Sequence, residues 1–144
     1  MKMKFWISAG IVALTLLGMC YAAKAHHKKG HDVFVKDQVG RAEVVICDTQ
    51  EQAESILKAS LENGHQAGID KFRELYIARN SRNEHVCLVQ AIALFMKEQV
   101  SVFDGVPFDS GTDSKTIYVI RGSIRDMSYY FLSLWPLVPA GEDI

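Results

Sequence analysis

The residues of this 144-residue chain best suited to chemistry are two cysteines and a nearby histidine. A thiol such as that of Cys87 becomes a nucleophile when a base removes its proton, and His85 lies two positions before it. On a strand both side chains would point to the same face, and His65 is the alternative base. Cys47 and Cys87 could instead form a disulfide, which consumes both thiols. The sequence therefore offers two competing interpretations of this pair.

The N-terminus favours the disulfide. Lys2 and Lys4 precede the uncharged, mostly apolar residues 5–23, and small residues at positions 23 and 25 suit a signal peptidase. These features predict a signal peptide over residues 1–25 and an exported, periplasmic protein. Cys20 falls within that leader, so Cys47 and Cys87 remain as an even pair in an oxidising compartment, where pairing is the rule.

An uncleaved anchor is the alternative, because 19 uncharged residues are nearly enough to cross a bilayer. In that case the inner membrane would hold a periplasmic domain. Loss of the leader removes three of the 16 basic residues and no acidic one, leaving 13 against 17, a net charge of −4. A mildly acidic domain has no electrostatic reason to bind nucleic acid or anionic lipid.

Residues 26–40 are expected to form a polar linker. It holds His26, His27 and His31, and neutral imidazole is a common metal ligand. No cysteine or regular helical spacing accompanies these histidines, so a solvated spacer is the better interpretation. We therefore expect no resident cofactor, and weak metal binding through residues 26–31 is kept as an alternative.

The segment around Cys47 predicts a strand followed by a helix. Residues 42–47 are rich in β-branched side chains and end at Asp48. Thr49 and Gln52 have the spacing of a capping box, in which each side chain bonds a free backbone N–H of the other residue. Apolar or small residues then recur at helical spacing up to Leu61. A second helix is predicted over residues 68–79.

The remaining strands lie in the second half of the chain. Residues 86–96 are apolar on both alternating sets and only Gln90 interrupts them, which predicts a central strand covered on both faces. A buried helix would show the same apolar pattern over so short a run, so the pattern alone does not separate helix from strand. A bend is expected at residues 97–99, and residues 115–121 and 127–135 predict two more strands.

These elements predict an α+β domain over residues 41–139, with a short tail at 140–144. Its sheet is antiparallel, or largely antiparallel, with about four strands, and two helices are inserted between strands 1 and 2. One disulfide, Cys47 to Cys87, closes the loop that contains both helices. On the chain-entropy model a loop of that size contributes about 4 kcal/mol to stability.

Three stretches also carry a resemblance to a known family. They are residues 45–53 (Val-Ile-Cys-Asp-Thr-Gln-Glu-Gln-Ala), 87–91 (Cys-Leu-Val-Gln-Ala) and 117–121 (Ile-Tyr-Val-Ile-Arg). Together they resemble small exported bacterial proteins of unknown function that have a strand-Cys-Asp-Thr-helix pattern and a second Cys opening a strand. The chain departs from that pattern at Leu88, where a glycine often follows the cysteine. The resemblance implies the fold and the disulfide, and no activity.

No motif in the sequence identifies an enzyme. The chain lacks C-x-x-C, zinc-type Cys/His spacing, G-x-S-x-G and a phosphate-binding loop. We therefore expect a non-catalytic exported module that binds a protein or a cell-envelope component, does not bind nucleic acid, and meets the membrane only through an uncleaved N-terminus. The alternatives are a small thiol-dependent hydrolase using Cys87 and His85, and the weak metal-binding protein already described.

The leader hypothesis makes the first testable prediction. Intact-mass measurement of the exported protein should show the chain without residues 1–25, because the signal peptidase acts after Ala25. A mass that still includes those residues would contradict cleavage and favour the anchor. A mass that begins at Cys20 and includes acyl chains would instead indicate a lipid anchor, because Leu17-Gly18-Met19-Cys20 has some likeness to a lipoprotein signal.

Overall fold

The computed structural model describes residues 34–109, 111 and 113–141. The predicted signal peptide, His26, His27, His31 and residues 142–144 lie outside this range. The described elements, in chain order, are β1 (Phe34–Val35), β2 (Val39–Cys47), α1 (Gln50–Asn63), α2 (His65–Ile77), β3 (Cys87–Pro107), β4 (Ser114–Ile124), β5 (Met127–Ser133) and β6 (Leu137–Val138). The predicted α+β class, the four-stranded antiparallel sheet and the two helices after its first strand are confirmed.

The four main strands close on one another. β2 pairs with β3, β3 with β4 and β4 with β5, all antiparallel. β5 then returns to β2 through two residue pairs, Ile46 with Phe131 and Cys47 with Tyr130. The sequence predicted the strands but not this closure, which depends on contacts between strands more than 80 residues apart in the chain.

β3 is one strand of 21 residues shared between two partners. Residues 87–95 pair with β2, and residues 95–107 pair with β4. Its register against β4 shifts at three places, between residues 96 and 98, 99 and 101, and 103 and 106. Such bulges bend a strand and increase its twist, so β3 can curve from one neighbour to the next. The bend predicted at residues 97–99 is thus a bulge and not the end of the strand.

The disulfide predicted between Cys47 and Cys87 is confirmed. The two residues lie directly opposite each other on β2 and β3, with their Cα atoms 4.1 Å apart. The hydrogen bonds from Asp48 N to the Val86 carbonyl (3.0 Å) and from Met96 N to the Gln38 carbonyl (2.9 Å) lie at the two ends of this ladder. Residues exchange hydrogen bonds at alternate pairs only, so the cysteines occupy a non-hydrogen-bonded pair, where side chains come closest.

Both helices pack on the disulfide end of the sheet. At the start of α1 the Thr49 hydroxyl accepts from the Gln52 backbone N–H (3.2 Å), and the Gln52 side chain accepts from the Thr49 N–H (2.9 Å). Gly64, at φ 91°, separates the helices. Leu61, predicted on the inner face of α1, is 43% exposed. The helical residues that are buried are Ala53, Ile56, Leu57, Ser60, Gly68, Ile69 and Phe72.

The expectation that residues 86–96 are covered on both faces is wrong over most of their length. Cys87 is buried beneath the helices, but Ala91, Ala93 and Phe95 on the same face are exposed. The helices pack against Cys87 near the start of β3 and against Val106 near its end, and they leave the middle of the strand uncovered on this face. The other face does form a core, in which Ile92, Leu94 and Met96 pack with Phe131.

The first and last strands of the described residues meet beside that inner core, so the folded part begins earlier than predicted. β1 pairs with β6 in parallel, and the Phe34 N–H donates to the Pro136 carbonyl (3.0 Å). The Phe34 ring is 3% exposed and lies 5.5 Å from Phe131 and 5.6 Å from Trp135. Residues 34–40 therefore belong to the domain and not to the linker predicted over 26–40. Neither helix in the described residues has the length and hydropathy needed to cross a membrane.

The disulfide gives the second prediction. Replacing both cysteines (Cys47→Ala with Cys87→Ala) should lower the free energy of unfolding by about 4 kcal/mol, because the loop that holds both helices is no longer closed in the unfolded chain. Guanidinium denaturation measures this, with reduced wild-type protein as the control that keeps both side chains. Equal midpoints for the oxidised protein and the double variant would contradict the prediction.

Candidate functional site

A groove of about 270 Å³ lies beside the disulfide and is called the β3 groove here. Its walls are β3, the loop of residues 80–85 and the hairpin that joins β4 to β5. The apolar lining comes mainly from Ile46, Leu88, Ala91, Ile92, Ala93, Ile124 and Tyr129, and the polar rim from Asp48, Asn80, Arg82, Glu84, His85 and Gln90.

One side chain organises the loop that forms the polar rim. The Asn80 amide nitrogen donates to Asp48 Oδ2 (2.8 Å), and its carbonyl oxygen accepts from the backbone N–H groups of Arg82 (2.9 Å) and Glu84 (3.0 Å). The Asn80 backbone N–H also donates to the Glu84 carbonyl (2.9 Å). Asn83 takes a left-handed conformation (φ 60°), which asparagine tolerates better than most residues. The loop is therefore a closed turn tied to the end of β2.

The charges of the rim are paired with one another. Arg82 donates to the Glu84 carboxylate, and its guanidinium also lies 3.9 Å from Asp48. The hydrogen bond that Arg82 donates to Glu84 raises the pKa of Arg82 above its ordinary value, so the group stays charged at any physiological pH. One cation faces two carboxylates, which leaves this end of the groove with an excess of one negative charge.

His85 and Cys87, the pair proposed for thiol chemistry, both have structural partners. The Cys87 sulfur is bonded to Cys47, and the residue is 0% exposed. The His85 ring stacks on Tyr76 with 4.0 Å between ring centroids, and its Nδ1 lies against the Tyr76 carbonyl. A backbone bridge also joins His85 to Arg79. His85 thus fastens the end of the 80–85 loop to α2.

The alternative base, His65, lies at the first position of α2 and outside the β3 groove. Its Nδ1 is 3.3 Å from the Pro107 carbonyl. The ring borders a separate cavity of about 30 Å³ between the helices and the sheet, with Ile56, Phe72 and Leu132 among its lining. A space of that size holds water rather than a substrate. The structure therefore does not bring His65 into the groove that holds His85.

Within residues 34–109, 111 and 113–141, no group of three or more His, Cys, Asp or Glu side chains is arranged to hold a metal ion. His26, His27 and His31, the candidate ligands, precede the first described residue.

The sequence predicts some local features of this site but not how distant residues come together to form the groove. The turn at residues 80–83 and the role of Thr49 and Gln52 have recognisable local patterns. Ile124 and Tyr129 have none, since they reach the groove only because β4 and β5 fold back along β3. The small Ala91 and Ala93 within an otherwise bulky strand were a usable signal of a position where another chain could approach.

Comparisons with known protein families, curated proteins and solved structures found no match to this chain. Its function must therefore be argued from the groove itself.

The closed turn gives the third prediction. Asn80→Ala removes three side-chain hydrogen bonds, so hydrogen exchange at the Arg82 and Glu84 amides should speed up and stability should fall by about 1–3 kcal/mol. Ser81→Ala, a change at an exposed neighbour, is the matched control. Unchanged exchange at both amides would show that Asn80 does not hold the loop.

Proposed function

We propose that this protein is a non-catalytic exported module that binds a protein or a cell-envelope component through the β3 groove. The observation that carries this proposal is a difference between the polar rim and the apolar lining of the groove. Its rim groups, Asp48, Asn80, Arg82 and Glu84, are bonded to one another, whereas part of its apolar lining is exposed, namely Ala91, Ala93 and Ile124. Polar groups that already have partners are poor candidates for proton transfer, and an open apolar surface favours association.

The state of the sulfurs supports binding over thiol catalysis. A nucleophilic cysteine must be a thiolate within reach of substrate, and Cys87 is buried in a bond to Cys47. The thiol-hydrolase alternative therefore requires reduction of this bond first. Titration of the exported protein with a thiol reagent under denaturing conditions separates the two, since a free Cys87 thiol would favour the hydrolase.

The same bond supports export. Disulfides persist in oxidising compartments such as the periplasm and are rare in the cytosol. An exported domain with an acidic balance fits a protein or envelope partner better than nucleic acid. The metal-binding alternative depends on His26, His27 and His31, and unchanged metal affinity after deletion of residues 25–31 would remove it.

The fourth prediction tests the groove as a binding surface. Ile124 and Val102 are similarly exposed apolar strand residues, at 44% and 47%, but only Ile124 lines the groove. Ile124→Glu should abolish capture of envelope components by the immobilised protein, because a charge in the apolar lining must be desolvated on binding. Val102→Glu should leave capture unchanged.

Two results would contradict the proposal. Capture that is equally strong with Ile124→Glu would place the binding surface elsewhere. Wild-type protein that repeatedly retains nothing from periplasmic or membrane extracts would argue against a binding module.

A further inference from the structure

We propose that the β3 groove takes an extended peptide segment of a partner protein, which adds as a strand to the open edge of β3. This inference deepens the proposed function and rests on it. It names the chemical class of the partner and the atoms that would recognise it.

The direction of the β3 backbone groups is the first support. The hydrogen bonds at Val86 and Met96 show that even-numbered residues of this stretch bond to β2. The N–H and C=O groups of the odd-numbered residues, such as Ala91 and Ala93, therefore point away from β2. Pairing with β4 begins only at Phe95, opposite Ser123. Among the described residues no strand pairs with this edge between residues 88 and 94.

The lining of the groove is the second support. Four consecutive residues, from Gln90 to Ala93, border it. Successive side chains of a strand point to opposite faces, so a groove that meets every residue in turn meets the edge of the strand. Ala91 and Ala93 are exposed and carry the smallest side chains available to a strand, which leaves their backbone open to approach. Free backbone donors and acceptors at such an edge bind another extended backbone.

The shape of the site favours a peptide over a second copy of this chain. The edge is recessed between the 80–85 loop at one end and the hairpin residue Ile124 at the other. A second β3 edge would carry the same two walls, and these would meet before the strands could pair. The open stretch of seven residues, 88–94, is about 23 Å long, which suits a single short strand.

The side chains that border the edge define what that strand should contain. Ala91 and Ala93 lie on one face of β3 and, with the hairpin residue Ile124, are the exposed apolar residues of the groove. Alternate residues of the peptide should therefore be apolar. At the loop end the two carboxylates of Asp48 and Glu84 share one cation, Arg82, among the described residues, and this excess of negative charge favours a basic residue of the peptide there.

The test uses a display library of linear nine-residue peptides selected on the oxidised protein. Selected peptides should alternate in apolar residues and carry a Lys or Arg near one end. One selected peptide is then synthesised in two N-methylated forms, each blocked along one of its two edges. Only the form blocked on the pairing edge should lose affinity, by tenfold or more, because the other edge stays free of β3.

Ala91→Pro tests the backbone hydrogen bond between β3 and the peptide by changing the protein instead of the peptide. Proline removes the N–H that faces the groove and leaves the bonds to β2 in place. It should weaken peptide binding at least tenfold, whereas Ala91→Val, which keeps the N–H, should not. If Ala91→Pro fails to fold, the two N-methylated peptides on wild-type protein decide the question.

The outcomes separate this inference from the proposed function. A library that yields no binder, or binders equally tolerant of N-methylation on either edge, would overturn the strand-addition model. Envelope capture that depends on Ile124 but is identical for Ala91→Pro and Ala91→Val would also overturn it, while the binding module stands. If the wild-type protein neither captures envelope components nor binds peptides, the proposed function and the strand-addition model are both contradicted.

Discussion

The bond between Cys47 and Cys87 is the constraint on which the rest of this structure depends. It joins the last residue of β2 to the first residue of β3 at a directly opposed pair, and everything between them, including both helices, lies within the loop that it closes. A side chain shifted by one position along a strand moves to the other face of the sheet. By fixing that pair, the disulfide fixes which residues of β3 face the helices, which face the inner core and which backbone groups turn away from β2.

The length of β3 explains why an edge remains open in a sheet that otherwise closes. One strand of 21 residues serves two neighbours in succession, and three bulges turn it from β2 to β4. β4 ends at Ile124, before it can run beside the first half of β3. The groove is the space left there, and the loop held by Asn80 forms its outer wall. Its position is thus a consequence of strand length and register.

The sequence was informative where structure is determined locally or by composition. The capping pair Thr49 and Gln52, the turn after Asn63 and the strand ending at Cys47 each follow from a few neighbouring residues. Burial was harder to predict, because the apolar run at residues 86–96 looks the same whether one face or both are covered. The exposure of Ala91 and Phe95 depends on how far two helices reach over the sheet. The sequence places Phe34 in the linker because its partners, Phe131 and Trp135, lie about 100 residues later.

Residue-resolved hydrogen exchange of the oxidised protein, followed by NMR, tests the central claim most directly. The disulfide fixes which backbone N–H groups of β3 point toward β2 and which point away. The amides of Leu88, Gln90 and Ile92, which bond to β2, should therefore exchange slowly. The amides of Ala91 and Ala93, which face the groove, should exchange at least tenfold faster. Uniform protection from residue 88 to 93, or the opposite alternation, would show that β3 is not held in this register and that its outer edge is not open.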